Sequence, residues 1–485
     1  MRSSITTTAA ALLSLLLFFF PTQSAQTRQA PDLKPLAITH VTVIDATGAA
    51  ARPDMTVIIA GDRITAIGSS RKVKAPKGSQ VIDATGKFLI PGLWDMHVHL
   101  GSNDLLLPFY VANGVTGVRS MSDSVENISK FRRQVSAGEL IGPRIVATAG
   151  PIVDGPNPLW EGSIIASTEA EGRQAINQAK ALGAEFIKVY EVLTRAAYFG
   201  IAGEARRQGI AFAGHVPRAV SVAEASDAGQ ASIEHMLGIP LACSSRETEI
   251  RARMLEATAD ARPSNGYVRY TAYGRADAEA YQSYDAGKAE DLFRRFVKNK
   301  TRITPTLTEP RASWILDKTD LSSDPRMRYM PSNLAGYWNS SIASSLSAEE
   351  KAKGQKGFER RLNLVGAMSH AGVEILAGTD TPRPFCFPGS GLHDELSLLV
   401  SAGLTPMQAL QAATRNAARF LGMLDSFGAT ESGKVADVVL LDANPLEKIE
   451  NTQRIAAVIF DGRFLSKDTL QRMQGVGSAE NRKGD

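Results

Sequence analysis

The sequence predicts an α/β fold: a (β/α)8 TIM-like barrel with a small composite β-sandwich domain built from both ends of the chain. Three observations lead there. Over residues 91–427, short apolar strands alternate with helical stretches, and the strands number about eight, as a barrel requires. Residues 36–90 and 428–470 instead carry β-branched runs broken by Gly and Asp turns, alike in kind at the two ends. At 485 residues and 44% hydrophobic composition, the chain can bury a barrel core and an appended domain.

The N-terminus differs from the rest. Arg2 precedes a Ser/Thr stretch, residues 9–20 are apolar, and Pro21 to Ala25 are small and polar. That is the layout of a secretory signal over residues 1–25, with cleavage near Ser24 or Ala25. The apolar run is short for a transmembrane helix, so the expectation is export to the periplasm or medium with no stable membrane association after cleavage. An uncleaved anchor is the alternative. Strands follow around Ile38-Thr39-His40-Val41, Thr56-Val57-Ile58-Ile59 and Ile64-Thr65-Ala66-Ile67, and Val81-Ile82-Asp83 leads toward the barrel.

The first barrel strand is Leu89-Ile90-Pro91-Gly92-Leu93-Trp94-Asp95-Met96-His97-Val98-His99. Later strands are read at Gly117-Val118-Arg119-Ser120, Arg144-Ile145-Val146-Ala147, Phe186-Ile187-Lys188-Val189, Phe212-Ala213-Gly214-His215, Ser232-Ile233-Glu234-His235, Arg302-Ile303-Thr304 and Ile375-Leu376-Ala377-Gly378-Thr379-Asp380. A helix spans about residues 169–182, a polar insertion about 240–300, and a last barrel helix 407–421, with Thr405 as its cap and Pro406 in its first turn.

The formal charge of +4 is small for this length and no long basic run occurs, which argues against nucleic-acid binding. Cys243 and Cys386 are too few for a disulfide framework; they are either one pair or two free thiols.

Barrel enzymes carry their chemistry at the C-terminal ends of the strands. Here those ends hold His97, His99, Lys188, His215, His235 and Asp380. Residues two apart on a strand share a face, so His97 and His99 point together, with Asp95 behind them and placed to orient one of the two rings. The pair alone is either a half metal site or two polar residues at a strand end. Lys188 shares its face with Phe186 and Tyr190, while Ile187 and Val189 suit packing against helices, so Lys188 points inward. A buried ammonium must pair or lose its proton. Lys188 is therefore either paired with Asp380 or Glu234, or neutral and able to react with CO₂ to a metal-bridging carbamate.

In this order the motifs resemble the metal-dependent amidohydrolase superfamily, especially its imidazolonepropionase-like and prolidase-like members, including Xaa-Pro and Xaa-Arg dipeptidases and the ochratoxin-amidase type. The resemblance runs from about residue 36 to residue 465 and includes Gly433-Lys434-Val435-Ala436-Asp437. It implies two divalent metal ions, taken as Zn²⁺. His97, His99 and Asp380 would bind one, His215 and His235 the other, bridged by N6-carboxylated Lys188. Ser120 departs from the pattern, since related members often carry an acidic residue there.

The implied reaction is hydrolysis of an amide or peptide bond in a dipeptide or N-acyl amino acid, by attack of a metal-bridging hydroxide, with Asp380 as the catalytic proton carrier. Tyr190, His393 and Arg119 are candidate substrate contacts, and Arg383 a further one for a carboxylate. Tyr190 is otherwise plain packing and His393 a surface residue. His40 and His370 read as structural. The expected partner is a small-molecule amide, dipeptide or aromatic amide such as ochratoxin, and the expected assembly a homo-oligomer. A cyclic amidase or deaminase on the same fold is the alternative, and a non-catalytic binding protein on a degenerate barrel the alternative of another class.

Overall fold

The β-branched runs at the two ends of the chain form strands that meet in one sheet. In the computed structural model, which describes residues 34–258 and 266–480, the N-terminal strands are β1 (Leu36–Val43), β2 (Arg52–Ala60), β3 (Arg63–Ser69), β4 (Gln80–Asp83) and β5 (Phe88–Pro91). The segment read as a signal lies outside the described residues.

Parallel strands follow: β6 (Leu93–Val98), β7 (Val115–Ser120), β8 (Arg144–Thr148), β9 (Val153–Asp154), β10 (Ile164–Ile165), β11 (Ile187–Val189), β12 (Phe212–Gly214), β13 (Ser232–Glu234) and β14 (Arg302–Thr304). The chain then returns to the first sheet as β15 (Val438–Leu441), β16 (Ile455–Phe460) and β17 (Arg463–Ser466).

The first sheet runs β17-β16-β15-β5-β1-β2-β3, with β4 beside β1. β15 pairs antiparallel with β5, Val438 opposite Pro91 and Leu441 opposite Phe88. Just before β15, residues 433–436 bond to the opposite edge: Ile64 donates to the Lys434 carbonyl and Ala436 to that of Asp62. The sheet thus curls until its β3 edge meets the segment that leads into β15, rather than splitting into two stacked sheets. Strand alternation sorts its side chains. Leu89, Val438 and Leu440 fill the core inside the curl, while Ile90, Val439 and Leu441 join the main core.

The other strands are bonded in two parallel groups, β6-β7-β8 and β10-β9-β11-β12-β13-β14. Hydrogen bonds join the groups at both ends. Glu185 N–H donates to the Thr148 carbonyl. On the far side, Leu376 donates to Ile303, Met96 to Ala377 and Asp380 to His97. Residues 375–381 therefore take a strand position between β14 and β6 without forming a regular strand. The close fit explains the glycine there: a Cβ on Gly378 would lie 2.6 Å from Thr304 Cγ2 and 2.9 Å from the His97 nitrogen.

The helix expected over 407–421 is two, Pro406–Ala412 and Arg415–Phe420. The break frees the carbonyls of Ala412 and Ala413 to accept from Ala377 and Trp94, so it ties the last helices to the strands below. The polar stretch expected as an insertion holds the helices Glu247–Thr258, Gly266–Gln282 and Ala286–Asn299. Cys243 and Cys386 are both buried and unpaired with each other. Among the described residues, no helix is long and apolar enough to cross a membrane.

Candidate metal centre

The parallel strands end on one side, and the histidines arrive there from separate strands. His97 lies on β6 and is fully buried; His99 follows it; His215 follows β12; His235 follows β13; Asp380 closes residues 375–381. Asp380 and His235 have positive φ, +59° and +58°, a backbone form that non-glycine residues adopt rarely. Both turn at the strand end as the side chain enters the centre.

Each imidazole is held by its Nδ1. His97 Nδ1 meets Glu234 Oε2 at 2.8 Å, and His235 Nδ1 meets Thr306 Oγ1 at 2.7 Å. His215 Nδ1 meets Glu191 Oε1 at 3.2 Å, and His99 Nδ1 the Ser122 carbonyl at 3.4 Å. The carboxylate and carbonyl partners only accept, and Thr306 Oγ1 already donates to the Pro305 carbonyl. The proton therefore sits on Nδ1 in each ring, and Nε2 offers its lone pair to the centre.

The Nε2 atoms of His97 and His99 lie 3.4 and 3.2 Å from Asp380 Oδ1. The ring of His235 is 4.6 Å from that of His97 and 4.9 Å from that of His215. Ligand atoms of His97, His235 and Asp380 all fall within 4.8 Å of one another. This trio draws members from both expected ligand sets. His97 Nε2 is buried and has no hydrogen-bond partner. An orphaned imidazole nitrogen beside a carboxylate is a fit for a divalent cation that takes nitrogen and oxygen ligands.

Electrostatics agree with that fit. Burial pulls the His97 pKa down to about 4, and those of His215 and His235 down as well, so the rings stay neutral. Burial opposes charge on Asp380, and it is attraction to His235, His97 and His99 in protonated form, or to a cation in their place, that holds the carboxyl below its usual range. Lys188 is 2% exposed, and burial pulls its pKa down to about 8. Among the described residues its amine forms no ion pair, so neither Asp380 nor Glu234 pairs with it at contact distance.

Three expectations are corrected. Arg119 does not face substrate. It is fully buried, with Nη2 on Glu234 at 2.9 Å, Nη1 on Ser232 Oγ at 3.0 Å and Nε on the Met96 carbonyl at 2.6 Å. Its guanidinium is committed to the strand interior. His393 is 1% exposed and bridges Thr452 Oγ1 and the Asn113 carbonyl, both at 3.0 Å. Its helix, Ser390–Ser401, packs that face inward. Asp95 holds the His97 backbone N–H and both donors of Thr379, and orients no imidazole ring.

Tyr190 does reach the centre. Its ring stacks on His215 at 4.1 Å, and its hydroxyl accepts from Trp160 Nε1 at 2.9 Å. Arg383 stands 3.8 Å from Glu309. His40 sits in the curled sheet against Asp54, away from the centre. The supporting residues Glu234, Glu191 and Thr306 were not expected in these roles. Glu234 adjoins the ligand His235 in sequence, and Glu191 adjoins the candidate substrate contact Tyr190; that adjacency is the signal the sequence offers for these two.

Residues 340–465 match the family model described as "Amidohydrolase family". Ochratoxinase of Aspergillus niger is 37% identical over 120 residues, 24% of this chain and 24% of its own length. The chain thus aligns with about a quarter of that relative. Among solved structures, a bottromycin amidohydrolase superposes with a TM-score of 0.72 at 22% identity, covering 92% of this chain and 90% of its own. A Xaa-Pro dipeptidase with bound methionine gives 0.63 at 19%, covering 89% and 100%. At these identities the structural likeness speaks for the fold alone.

Proposed function

We propose that this chain, which belongs to the amidohydrolase superfamily, hydrolyses an amide or peptide bond in a dipeptide or N-acyl amino acid at a centre for two divalent cations. One observation carries the reading: the buried, unpartnered Nε2 of His97 faces Asp380 among three further imidazoles whose Nδ1 atoms are all engaged. His97, His99 and Asp380 would hold one cation, His215 and His235 the other, with Lys188 between them as its carbamate. Zinc suits this nitrogen and oxygen donor set. When bound, such cations make water acidic and polarise a carbonyl.

The residues of the chain supply the rest. Lys188, its pKa pulled down to about 8 by burial, presents far more neutral amine near neutral pH than an ordinary lysine. Its nitrogen bonds to the carbon of CO₂ and gives up one proton, leaving a carbamate anion where an ammonium would be unpaired. Asp380, ionised at neutral pH, accepts the proton of the attacking water and passes it to the leaving nitrogen. Glu234, Glu191 and Thr306 keep the rings in one tautomer throughout. Tyr190, against His215, lines the side where substrate enters.

For substrate choice the support is the name of one partial relative, ochratoxinase, which points to an amide with an aromatic group. We further read the ring of parallel segments as a (β/α)8 barrel over residues 91–427, flanked by the composite domain of 36–90 and 428–470, in an exported protein. The test is metal content and amide hydrolysis in His215→Ala and Asp380→Asn, with zinc and bicarbonate present. The expectation is loss of turnover in both, with metal lost from His215→Ala. Unchanged rates in both would overturn the reading.

A further inference from the structure

Trp160 is 46% exposed, and its indole N–H is tied to the Tyr190 hydroxyl. Tyr190 is 5% exposed and stacked on His215. A half-open indole thus connects to the centre through one ring. The loop that carries it is anchored at both ends. β9 and β10 close it, Val153 opposite Ile164 and Asp154 opposite Ile165. Asp154 Oδ1 accepts from the Gly155 and Val192 amides at 2.9 and 2.8 Å.

A Cβ on Gly155 would fall 1.9 Å from the Val192 carbonyl, so the loop lies directly on the chain leaving Tyr190. Ser163 Oγ donates to the Trp160 carbonyl at 2.8 Å. One edge of the indole is therefore fixed, and its ring is oriented before any ligand arrives. An exposed aromatic face in a fixed orientation stacks another ring at little ordering cost.

We propose that Trp160 sets the specificity of this site, its open face packing against an aromatic or bulky apolar group beside the scissile amide. The inference rests on the hydrolase reading for the bond that is cleaved, but the ring contact itself can be measured without turnover. A small polar substrate such as N-acetylglycine gains nothing from this surface. N-benzoylglycine or N-acetylphenylalanine does, according to the side on which the group is carried.

Two measurements on the full chain with zinc and bicarbonate decide it. The first is kcat/KM for the three compounds in wild type, Trp160→Ala and Trp160→Phe. The fall in Trp160→Ala for the preferred aromatic compound should exceed that for N-acetylglycine by about tenfold, chiefly through KM, and Trp160→Phe should recover part of it. The second is tryptophan emission during titration of the aromatic compounds into Asp380→Asn. The emission change should vanish when Trp160→Phe is added. Equal falls for all three compounds, or an emission change indifferent to Trp160→Phe, would overturn the proposal. If wild type cleaves no amide, emission decides alone: a Trp160-dependent change upholds the aromatic contact while the hydrolase reading fails, and its absence overturns the contact.

Discussion

Glu234 accepts a hydrogen bond from His97 Nδ1 at 2.8 Å while the same carboxylate takes the Arg119 guanidinium at 2.9 Å, all three side chains fully buried. A charge far from solvent is thereby coupled to a buried ligand nitrogen that has no hydrogen-bond partner. Burial would raise the Glu234 pKa, but Arg119 and His97 hold it well below the usual carboxylate range. An ionised Glu234 keeps the His97 proton on Nδ1.

Glu234→Gln should therefore weaken zinc binding by about 10–100-fold, the usual scale for such a supporting carboxylate. Competition with a chelating dye reads this directly. Equal zinc affinity in variant and wild type would mean that the 2.8 Å contact does not govern the ligand.

Arg119→Met removes the cation from this buried pair and should destabilise the fold by about 3–5 kcal/mol, seen as a lower urea midpoint. A KM effect confined to carboxylate-bearing substrates, at unchanged stability, would return Arg119 to the role of a substrate contact.

His393 gives a pH-dependent stability. Burial pulls its pKa down to about 4, so the folded ring resists a proton that the unfolded ring takes near the ordinary value of 6.5. Between those values the unfolded state binds more protons, and stability falls as pH drops. This group should contribute a loss of about 2 kcal/mol between pH 7 and pH 5. His393→Gln keeps a donor for the Asn113 carbonyl and should flatten that part of the profile in thermal unfolding. An unchanged slope would count against it.

Lys188 should show its carbamate to carbon-13 NMR in labelled bicarbonate. Since only the neutral amine reacts, the signal should strengthen as pH rises through about 8, and Lys188→Ala should lack it and hold less zinc. No labelled signal from the zinc-loaded wild type would exclude the carbamate.

Much of the centre was legible because strand spacing is local information. His97 and His99 share a face by their separation of two, and Lys188 is inward because Ile187 and Val189 are not. Arg119 is inward by the same rule, yet its role is fixed by Glu234 and Ser232, which only the closed ring of strands brings near. His393 misled because a polar residue after a ligand-bearing segment looks like a site residue. Its environment depends on how Ser390–Ser401 packs on Asn113 and Thr452, a tertiary fact. The broken helix at Ala413 and Thr414 has the same origin, since helix propensity cannot foresee that Trp94 and Ala377 need the carbonyls of Ala413 and Ala412. Trp160 sits in a loop of no periodicity, and nothing in its own stretch announces the Tyr190 bond.

The curled sheet has a consequence for synthesis. A ribosome delivers β1 to β5 early, but the bonding partners of β5 and of the β3 edge lie in residues 433–441, near the end of translation. Until then both edges are unpaired templates for other chains. The charges beside these strands, Asp62 and Arg63 at one edge and Lys87 at the other, are placed to discourage such pairing while the nascent chain waits. Residues 433–441 then join both early edges, 433–436 at β3 and β15 at β5, before β16 adds outside β15, so truncations within 433–441 should yield aggregates rather than a soluble protein.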